Sequence, residues 1–305
     1  MNQVYLDTAR LLIQVAPLVF AEKIFALKGG TAINLFVRDM PRLSVDLDLV
    51  FADHSMGREE ALDSISAAIK SAGERLKKRG FQTHAATVAD AGETKLFIRR
   101  ENLEVKVEVN FVLRGTLHPV RPASLSAKAK EVLQADLELP LVSLEDLYAG
   151  KLVAALDRQH PRDLFDVMEL FGHEGITPAI RRSFVAYLAT HNRPIHEVLF
   201  PKLRDVSGEY DSTFKGMTAE PVELKALLST RDRMVAELQA GLDAAERAFL
   251  LSLARNQPKW NLLGIGHLER LPGVRWKLEN LGRLAKSNPK KLNAQADDLE
   301  RRLGT

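Results

Sequence analysis

Several patterns that define common protein classes are absent from this 305-residue sequence. It contains no cysteine, which excludes disulfide bonds, thiolate metal ligands and a cysteine nucleophile. Its longest apolar runs, such as residues 11–20, are far shorter than the ~18 residues that a membrane-spanning helix needs. Residues 1–7 have no basic stretch and include an acid, so we expect no signal peptide. Together these absences predict a cytoplasmic protein with no membrane partner.

The signatures of several enzyme classes are also missing. The eight histidines form no His-x-His or His-x-x-x-His pair, so a zinc site is not expected. No Gly-x-Ser-x-Gly, Walker or dinucleotide-binding pattern is present. What remains is a composition typical of globular proteins, 46% apolar and 27% charged, in a chain long enough for about two domains.

The charged residues are unevenly distributed along the chain. The formal net charge is +3, but residues 255–305 carry +6 (11 Lys and Arg against 5 Asp and Glu) and the remainder carries −3. A basic C-terminal segment on a slightly acidic body is compatible with a surface that binds a polyanion such as RNA. A solvated helical face produces the same pattern, so charge alone does not decide between the two.

Hydrophobic periodicity divides the chain into two parts. In the first 140 residues it predicts helices over 4–20 and 57–79, and strands over 45–51, 82–88, 95–99 and 103–113, with a turn at 90–92. After Pro140 the pattern is mostly helical, over 144–158, from 163 onward, and over 177–190, 223–254 and 274–303. We therefore predict an α+β protein, with a mixed-sheet domain over residues 1–140 and a helical domain over residues 141–305 that completes the active site and contacts the substrate.

Two motifs in the first domain suit phosphoryl chemistry. Asp46 and Asp48 occupy alternate positions of one strand, so their carboxylates point the same way about 6–7 Å apart and can hold divalent cations. Gly29, Gly30 and Thr31 join an extended segment to a helix start, where backbone N–H groups can bind a phosphate. Each motif alone is commonly structural, but in this order they indicate nucleotidyl or phosphoryl transfer. Ser44 shares the Asp46 face and could bond a phosphate, although a serine beside a strand is commonly a turn residue.

A third acid could come from the strand over 103–113, whose polar face consists of Glu104, Lys106, Glu108 and Asn110. If this strand lies beside the Asp46 strand, Glu108 completes a carboxylate triad that fixes two metal ions or deprotonates an attacking hydroxyl. Glu104 competes for that role. A solvated ladder of Glu and Lys is the structural alternative for this face.

The helical domain contributes a charged cluster. Lys151 and Arg158 are seven residues apart on one predicted helix, so both can point at one anion. Asp163 and Asp166 share a face of the next predicted helix. The cations could stabilise a triphosphate and its leaving pyrophosphate. Asp163 could equally cap its helix and pair with Arg158 or Arg162, and a structural ion pair of this kind can also orient a substrate lysine.

An ordered series of segments gives the chain a family resemblance. The segments are Phe25–Ala32, Pro41–Leu49, Ala149–Leu152, Arg158 with Arg162–Asp166, Phe214–Met217 and Leu271–Leu281. In this order they resemble the AbiEii-type (MenT-like) nucleotidyltransferase toxins over nearly the whole chain. The resemblance implies a polymerase-β-like nucleotidyltransferase fold, Mg²⁺ (two ions), an NTP substrate and a cognate antitoxin in a type IV toxin–antitoxin system linked to abortive phage infection.

The resemblance also implies roles for individual residues. Relatives similar to this chain add nucleotides to the 3′ acceptor end of tRNA and so block translation. Gly30 and Thr31 match the phosphate turn, Asp46 and Asp48 the metal pair, Lys151 the substrate lysine and Asp163 the second catalytic acid. Ser44 occupies the position at which an antitoxin silences some relatives by phosphorylation. The chain departs from the family pattern with Thr31 where others have serine, and with Glu108 where other nucleotidyltransferases often have aspartate.

We therefore expect a Mg²⁺-dependent NTP:tRNA nucleotidyltransferase. We expect its catalytic residues to be Asp46, Asp48, Lys151, Asp163 and Glu108, its nucleotide-binding residues to be Gly29, Gly30, Thr31, Ser44, Lys151 and Arg158, and its metal ligands to be Asp46, Asp48 and Glu108. Basic residues of the C-terminal segment, among them Arg270, Arg275, Lys277, Arg283, Lys286, Lys290 and Lys291, are expected to guide the RNA backbone. The alternatives are a nucleotidyltransferase or kinase that modifies proteins, and a non-catalytic module that binds a partner.

Overall fold

A computed structural model describes residues 3–88 and 93–304. It divides the chain into two compact units, Met1–Ser143 with Phe214–Val222, and Leu144–Thr213 with Glu223–Thr305. The predicted turn at 90–92 lies outside the described residues. No helix within the described ranges is long and apolar enough to cross a membrane.

The first unit is built on a seven-stranded mixed sheet. Its elements are α1 (Gln3–Val19), β1 (Phe25–Lys28), α2 (Gly29–Thr31), a π-helix (Ala32–Val37), β2 (Asp46–Phe51), α3 (Arg58–Lys78), β3 (Gln82–Val88), β4 (Glu93–Arg100), β5 (Leu103–Asn110), β6 (Arg121–Ser124), α4 (Ala127–Leu133) and β7 (Glu138–Leu141). The strand order is β3-β4-β5-β2-β1-β7-β6. β2 is parallel to β5 and antiparallel to β1, which makes β2 a central strand.

Alternating burial explains why β5 forms and which way it faces. Val105, Val107 and Val109 are fully buried, whereas the residues between them are partly exposed. On the buried side α3 packs close to the sheet, since Gly73 of α3 lies near Leu96 of β4. β5 ends earlier than the sequence predicts, because the Asn110 side chain accepts hydrogen bonds from the backbone N–H groups of Val112 and Leu113, at 2.8 Å each. The face of β5 opposite the buried valines carries the charged side chains.

A π-helical segment follows the glycine turn. The backbone N–H of Arg38 bonds the carbonyl of Ile33, five residues earlier, at 2.7 Å. The buried Asn34 amide donates to the carbonyl of Gly30 at 2.9 Å, which ties the segment to the turn. π-Helical turns are rare and occur frequently at functional sites. The glycine turn is thus anchored from its C-terminal side by a buried side chain.

The segment Phe214–Val222 also belongs to the first unit. The backbone N–H of Leu43 bonds the carbonyl of Met217 at 3.1 Å, and Arg42 and Thr218 form an antiparallel bridge. Residues 214–217 are one of the segments that carry the family resemblance. Their place beside the chain that leads into β2 gives this distant part of the sequence a direct role in holding the start of that strand.

The second unit is helical. It contains α5 (Leu144–Arg158), α6 (Pro161–Gly172), α7 (Pro178–Thr190), α8 (Ile195–Leu199), α9 (Ser207–Thr213), α10 (Leu224–Gly241), α11 (Ala244–Ala254), two 3₁₀ turns (Trp260–Leu262 and Leu268–Arg270), α12 (Pro272–Ser287) and α13 (Pro289–Leu303). The helices predicted over 223–254 and 274–303 are each divided in two. Asp243 and Glu246 form a capping box that starts α11, and Asn288 caps α13 just before Pro289.

Candidate active site

The paired aspartates lie at the start of β2. Asp46 and Asp48 are half-buried on the polar face of the sheet, whereas Leu47 and Leu49 are fully buried on the other face. This arrangement follows from the two-residue period of a strand. The carboxylates therefore share a face at the spacing that the sequence predicts, on a strand held on both sides by its neighbours.

The register of β5 against β2 places one of the two competing glutamates beside this pair. Glu108 stands opposite Asp48, and Lys106 stands opposite Asp46. Directly opposite residues of neighbouring strands point to the same face. Glu104 instead stands opposite Arg99 of β4 and forms an ion pair with it. Glu108 is therefore the neighbour of the aspartates, although its role as the third catalytic acid stays a prediction.

Two lysines hold the Glu108 carboxylate. Lys95 Nζ lies 3.1 Å from Glu108 Oε1, and Lys106 Nζ lies 3.4 Å from the same oxygen. Lys106 Nζ is also 3.9 Å from Asp46 Oδ1. Burial alone would raise the pKa of Glu108, but the two lysines outweigh it and leave the pKa below its usual value. The carboxylate is therefore ionised at neutral pH.

The carboxylate oxygens at the site determine what kind of metal binding is possible. Within the described ranges, no group of three or more His, Cys, Asp or Glu side chains is placed to hold a metal ion. Glu108 is held by Lys95 and Lys106, and the longer contact from Lys106 also reaches Asp46 at 3.9 Å, so the carboxylates beside the glycine turn are those of Asp46 and Asp48. Mg²⁺ is commonly bound by one or two carboxylates together with substrate phosphates and water. The donor set thus fits a Mg²⁺–nucleotide complex better than a cage built from protein alone.

The glycine turn lies against the aspartates so closely that side chains are excluded. Gly29 has a φ of +75°, and a Cβ at this position would overlap the Asp48 carboxylate. A Cβ at Gly30 would lie 2.7 Å from Arg42 Nη2 and 3.0 Å from Ser44 Oγ. Gly29 is therefore required by close approach and by its backbone conformation, whereas a side chain at Gly30 would displace the Arg42 guanidinium and crowd Ser44. The predicted phosphate turn and metal pair are brought together within one unit.

Thr31 links the turn to the strand. Its side chain is fully buried, and its Oγ1 donates to the backbone carbonyl of Asp46 at 2.5 Å. The half-buried Ser44 Oγ lies 3.0 Å from Thr31 Oγ1. The hydroxyl of Thr31 is thus committed to positioning Asp46, while Ser44 is the more accessible of the two hydroxyls.

Arg42 is a component of the site that sequence reasoning did not select. Its guanidinium is buried beside Gly30, and Nη1 donates to the carbonyl of Leu43 at 2.9 Å. It places positive charge next to the turn that is expected to bind phosphate. The signal was present, since Arg42, Ser44, Asp46 and Asp48 follow one another at intervals of two residues.

The second unit holds a buried ion network of its own. Lys151 Nζ lies 2.7 Å from Asp163 Oδ1 and 2.9 Å from Asp166 Oδ2. The exposed guanidinium of Arg158 binds Asp163 through Nε at 2.6 Å and Nη2 at 3.0 Å. Lys151, Asp163 and Asp166 are at most 7% exposed, whereas Arg158 is 62% exposed. The predicted cations and acids of this cluster are therefore in contact, and Asp166 is part of it.

The electrostatics of Asp163 follow from this network. Burial alone would raise its pKa, but Lys151 and Arg158 act more strongly and hold the pKa well below its usual range. Asp163 lies in the first turn of α6, yet the helix is capped by His160, whose ring accepts from the N–H of Arg162 at 3.1 Å. Of the two structural roles considered for Asp163, the structure shows the ion pair with Arg158, whereas His160 caps the helix.

One of the basic C-terminal residues that were expected to guide RNA does not lie at the surface. Lys277 is buried, and its Nζ donates to the carbonyls of His191 at 2.8 Å and Arg193 at 2.6 Å. It therefore cannot lie on a surface that contacts RNA. The exposed members of that set are Arg270, Arg275, Arg283, Lys286, Lys290 and Lys291, of which Arg283 pairs with Glu279.

The chain belongs to a family of nucleotidyltransferase toxins. The family "Nucleotidyl transferase AbiEii toxin, Type IV TA system" matches residues 10–280, which confirms the resemblance found in the sequence. The chain is therefore a nucleotidyltransferase toxin of a type IV toxin–antitoxin system, and such a system implies an antitoxin partner. A comparison with curated protein sequences gives no match.

A solved structure supports the fold. The chain is similar to MenT4, a nucleotidyltransferase toxin from Mycobacterium tuberculosis H37Rv, with a TM-score of 0.60 and 19% sequence identity. The similarity covers 92% of this chain and 94% of MenT4. The predicted α+β nucleotidyltransferase fold is thereby confirmed.

Proposed function

We propose that the protein transfers a nucleoside monophosphate from an NTP to the 3′ acceptor end of tRNA, in a Mg²⁺-dependent reaction that blocks translation. The observation that carries this proposal is the half-buried Asp46–Asp48 pair directly against the Gly29–Gly30 turn. Carboxylates can hold Mg²⁺ together with substrate phosphates, and a turn without side chains brings backbone N–H groups close to a phosphate, so the two together suit a Mg²⁺–nucleotide complex. NTPs and tRNA meet in the cytoplasm, so we expect the protein to act there.

The proposed reaction is a single displacement at phosphorus. The 3′-hydroxyl oxygen of the RNA forms a bond to the α-phosphorus of the NTP, and the bond to the β-phosphate oxygen breaks to release pyrophosphate. Glu108, which is ionised at neutral pH and stands beside Asp48, accepts the hydrogen bond of the hydroxyl and takes its proton before passing it to solvent. Asp46 and Asp48 would hold two Mg²⁺ ions, which supply charge neutralisation at the phosphates and acidify the attacking hydroxyl.

The remaining predicted residues bind the donor. We assign the backbone of Gly29–Thr31, Ser44 and the Arg42 guanidinium to the phosphates of the NTP. We assign Lys151 and Arg158 to the triphosphate and the departing pyrophosphate, with Asp163 orienting Lys151 through its 2.7 Å ion pair.

The test is a transfer assay with a matched pair of glutamate variants. Purified protein is incubated with Mg²⁺, total tRNA and each α-³²P-labelled NTP in turn, beside Asp46→Ala. We expect label on tRNA with one or two NTPs and none with Asp46→Ala. Glu108→Gln should lower the rate at least about 10-fold, whereas Glu104→Gln, on the same face but beside Arg99, should leave it within about twofold.

Other outcomes would redirect the assignment. Label on protein and none on RNA would favour a protein-directed nucleotidyltransferase, and label from γ-³²P-NTP alone would favour a kinase. Toxicity of the Asp46→Ala variant in cells, equal to that of the unaltered protein, would favour a non-catalytic module that acts through a partner. Each of these results contradicts the proposed nucleotidyl transfer to RNA while leaving the fold and the family unchanged.

A further inference from the structure

Two aromatic rings lie on the polar face of the sheet, in line with the catalytic carboxylates. His84 of β3 and Phe97 of β4 are directly opposite each other and stacked, with ring centroids 6.4 Å apart and planes inclined by 23°. His84 is exposed and Phe97 is half-buried. The hydrophobic core lies on the other face, where Leu96 and Ile98 are buried. Core packing therefore does not explain this ring pair.

The register places the rings in one row with Asp46. Phe97 stands opposite Lys106, and Lys106 stands opposite Asp46. Neighbouring strands are about 4.8 Å apart, so Phe97 lies ~10 Å from Asp46 across the sheet, and His84 lies one strand further. This separation is one that a nucleotide or two of unpaired RNA spans.

The in-line geometry of the reaction predicts from which side of β2 the RNA acceptor approaches. The glycine turn follows β1, which borders β2 on one side, whereas β5, β4 and β3 follow in order on the other side. In an in-line displacement the attacking and leaving oxygens lie on opposite sides of the phosphorus. If the triphosphate occupies the glycine turn, the RNA hydroxyl approaches across β5. The ring pair lies on that path.

We propose that His84 and Phe97 form a stacking platform for the unpaired nucleotides that precede the reacting 3′ end of the acceptor RNA. The inference rests on the proposed function and deepens it by naming the acceptor as single-stranded at its 3′ end. Aromatic faces stack any base, and Lys95 and Arg99, which flank Phe97 on the same face of β4, offer positive charge to the RNA backbone. Both cations are also paired with glutamates, which neutralise part of their charge.

A kinetic experiment separates stacking from catalysis. The variant pair is His84→Ala with Phe97→Leu, which removes both rings and keeps an apolar side chain of similar size at Phe97. We expect its KM for an RNA with an unpaired 3′ end to rise roughly 10-fold, with kcat and the KM for NTP within about twofold. His84→Phe with Phe97→Tyr keeps both rings and should restore the KM, which excludes a folding defect as the cause.

A binding measurement provides an independent readout. An RNA carrying 2-aminopurine one nucleotide before its 3′ end is titrated with the non-reacting Asp46→Ala protein, with and without the two ring substitutions. Stacking on the rings should quench the fluorescence, and the ring variant should lose that quenching. A fully base-paired end should show no quenching with either protein.

The possible failures are distinguishable. If the unaltered protein labels RNA but the ring variant keeps its KM and its quenching, the platform is wrong and the proposed function stands. If the ring variant raises the KM for NTP and leaves that for RNA unchanged, the rings bind the donor base, and the inference is overturned. If the unaltered protein labels no RNA, the proposed function fails, and the platform fails with it.

Discussion

Close approach at a single residue makes Gly29 a sensitive probe of the site. Its φ is +75°, and an added Cβ would overlap the Asp48 carboxylate. We expect Gly29→Ala to lower nucleotidyl transfer at least about 10-fold, because a displacement of a catalytic group by about 1 Å can cost up to 100-fold. The measurement is the initial rate of label transfer together with the free energy of unfolding.

The chain offers a matched control for the backbone strain in this experiment. Gly80 has a φ of +81°, and apart from its two chain neighbours no atom of the described residues lies within 4 Å of the position of its added Cβ. Gly80→Ala therefore carries the same conformational penalty, about 1–2 kcal/mol, without crowding. We expect it to lose stability and keep its transfer rate per folded molecule. Equal losses of activity in both variants would refute the proposed displacement of Asp48.

The buried lysine and the exposed arginine that bind Asp163 should differ in what they contribute. Lys151→Met leaves Asp163 and Asp166 buried without their shared cation, so we expect the free energy of unfolding to fall by about 3–5 kcal/mol. Arg158→Met removes a side chain that is 62% exposed and should cost less than about 1 kcal/mol. Denaturant titration measures both. A Lys151→Met protein as stable as the unaltered chain would show that the network is not structural.

At the scale of secondary structure, part of the fold is encoded locally and part is not. The two-residue period of β2 and β5 predicted both strands and the shared face of Asp46 and Asp48. The short strands β6 and β7 were not predicted, because each has only four residues and contains a proline, a composition typical of an edge or a turn. Their pairing depends on a neighbouring strand that a local pattern does not reveal.

Some features of the candidate site also lie beyond local sequence patterns. The choice between Glu104 and Glu108 depends on the register of β5 against β2, which a single strand cannot specify. Asp166 was recognised as a helix-face neighbour of Asp163, but its ion pair with Lys151 depends on how α5 packs on α6. Arg42 was overlooked for a different reason, since its two-residue spacing from Ser44 was visible and its burial beside Gly30 was not.

The link between α12 and the end of α7 is expected to depend on pH. Lys277 Nζ donates to the carbonyls of His191 and Arg193, just past the C-terminus of α7, and burial lowers its pKa from 10.5 to about 8. The unfolded chain therefore binds this proton more tightly than the folded chain does. Between pH 8 and 10.5 the unfolded state holds more protons, so the group's contribution to folding becomes more favourable as the pH rises.

The prediction is tested by comparison with Lys277→Met, which has no titratable group at this position. We expect the difference in unfolding free energy between the unaltered protein and the variant to shift in favour of the unaltered protein from pH 8 to pH 10. Denaturant titrations at several pH values measure that difference, and shared titrations of other groups cancel. A difference that stays constant with pH would mean that Lys277 is protonated equally in both states.

At the scale of the whole molecule, the excess positive charge of the C-terminal segment has two possible roles, binding RNA or keeping the protein in solution, and the effect of its location on RNA binding separates them. Lys286, Lys290 and Lys291 are exposed near the junction of α12 and α13, in the segment that carries a net charge of +6. Lysines that neutralise RNA phosphates release counterions, and the logarithm of affinity then falls linearly with the logarithm of salt concentration. Reversing all three charges to glutamate should weaken RNA binding and lower the magnitude of that slope by about 2.

A second triple variant shows whether location matters. Lys70, Lys77 and Lys78 are exposed on α3 in the other unit, so their reversal to glutamate changes the net charge by the same amount. If the C-terminal lysines contact the RNA backbone, only their reversal changes the salt slope, whereas long-range repulsion at low salt affects both variants. Equal slopes in the two variants would remove the C-terminal segment from the RNA-binding surface. The rings of β3 and β4 would then have to hold the acceptor without that contribution.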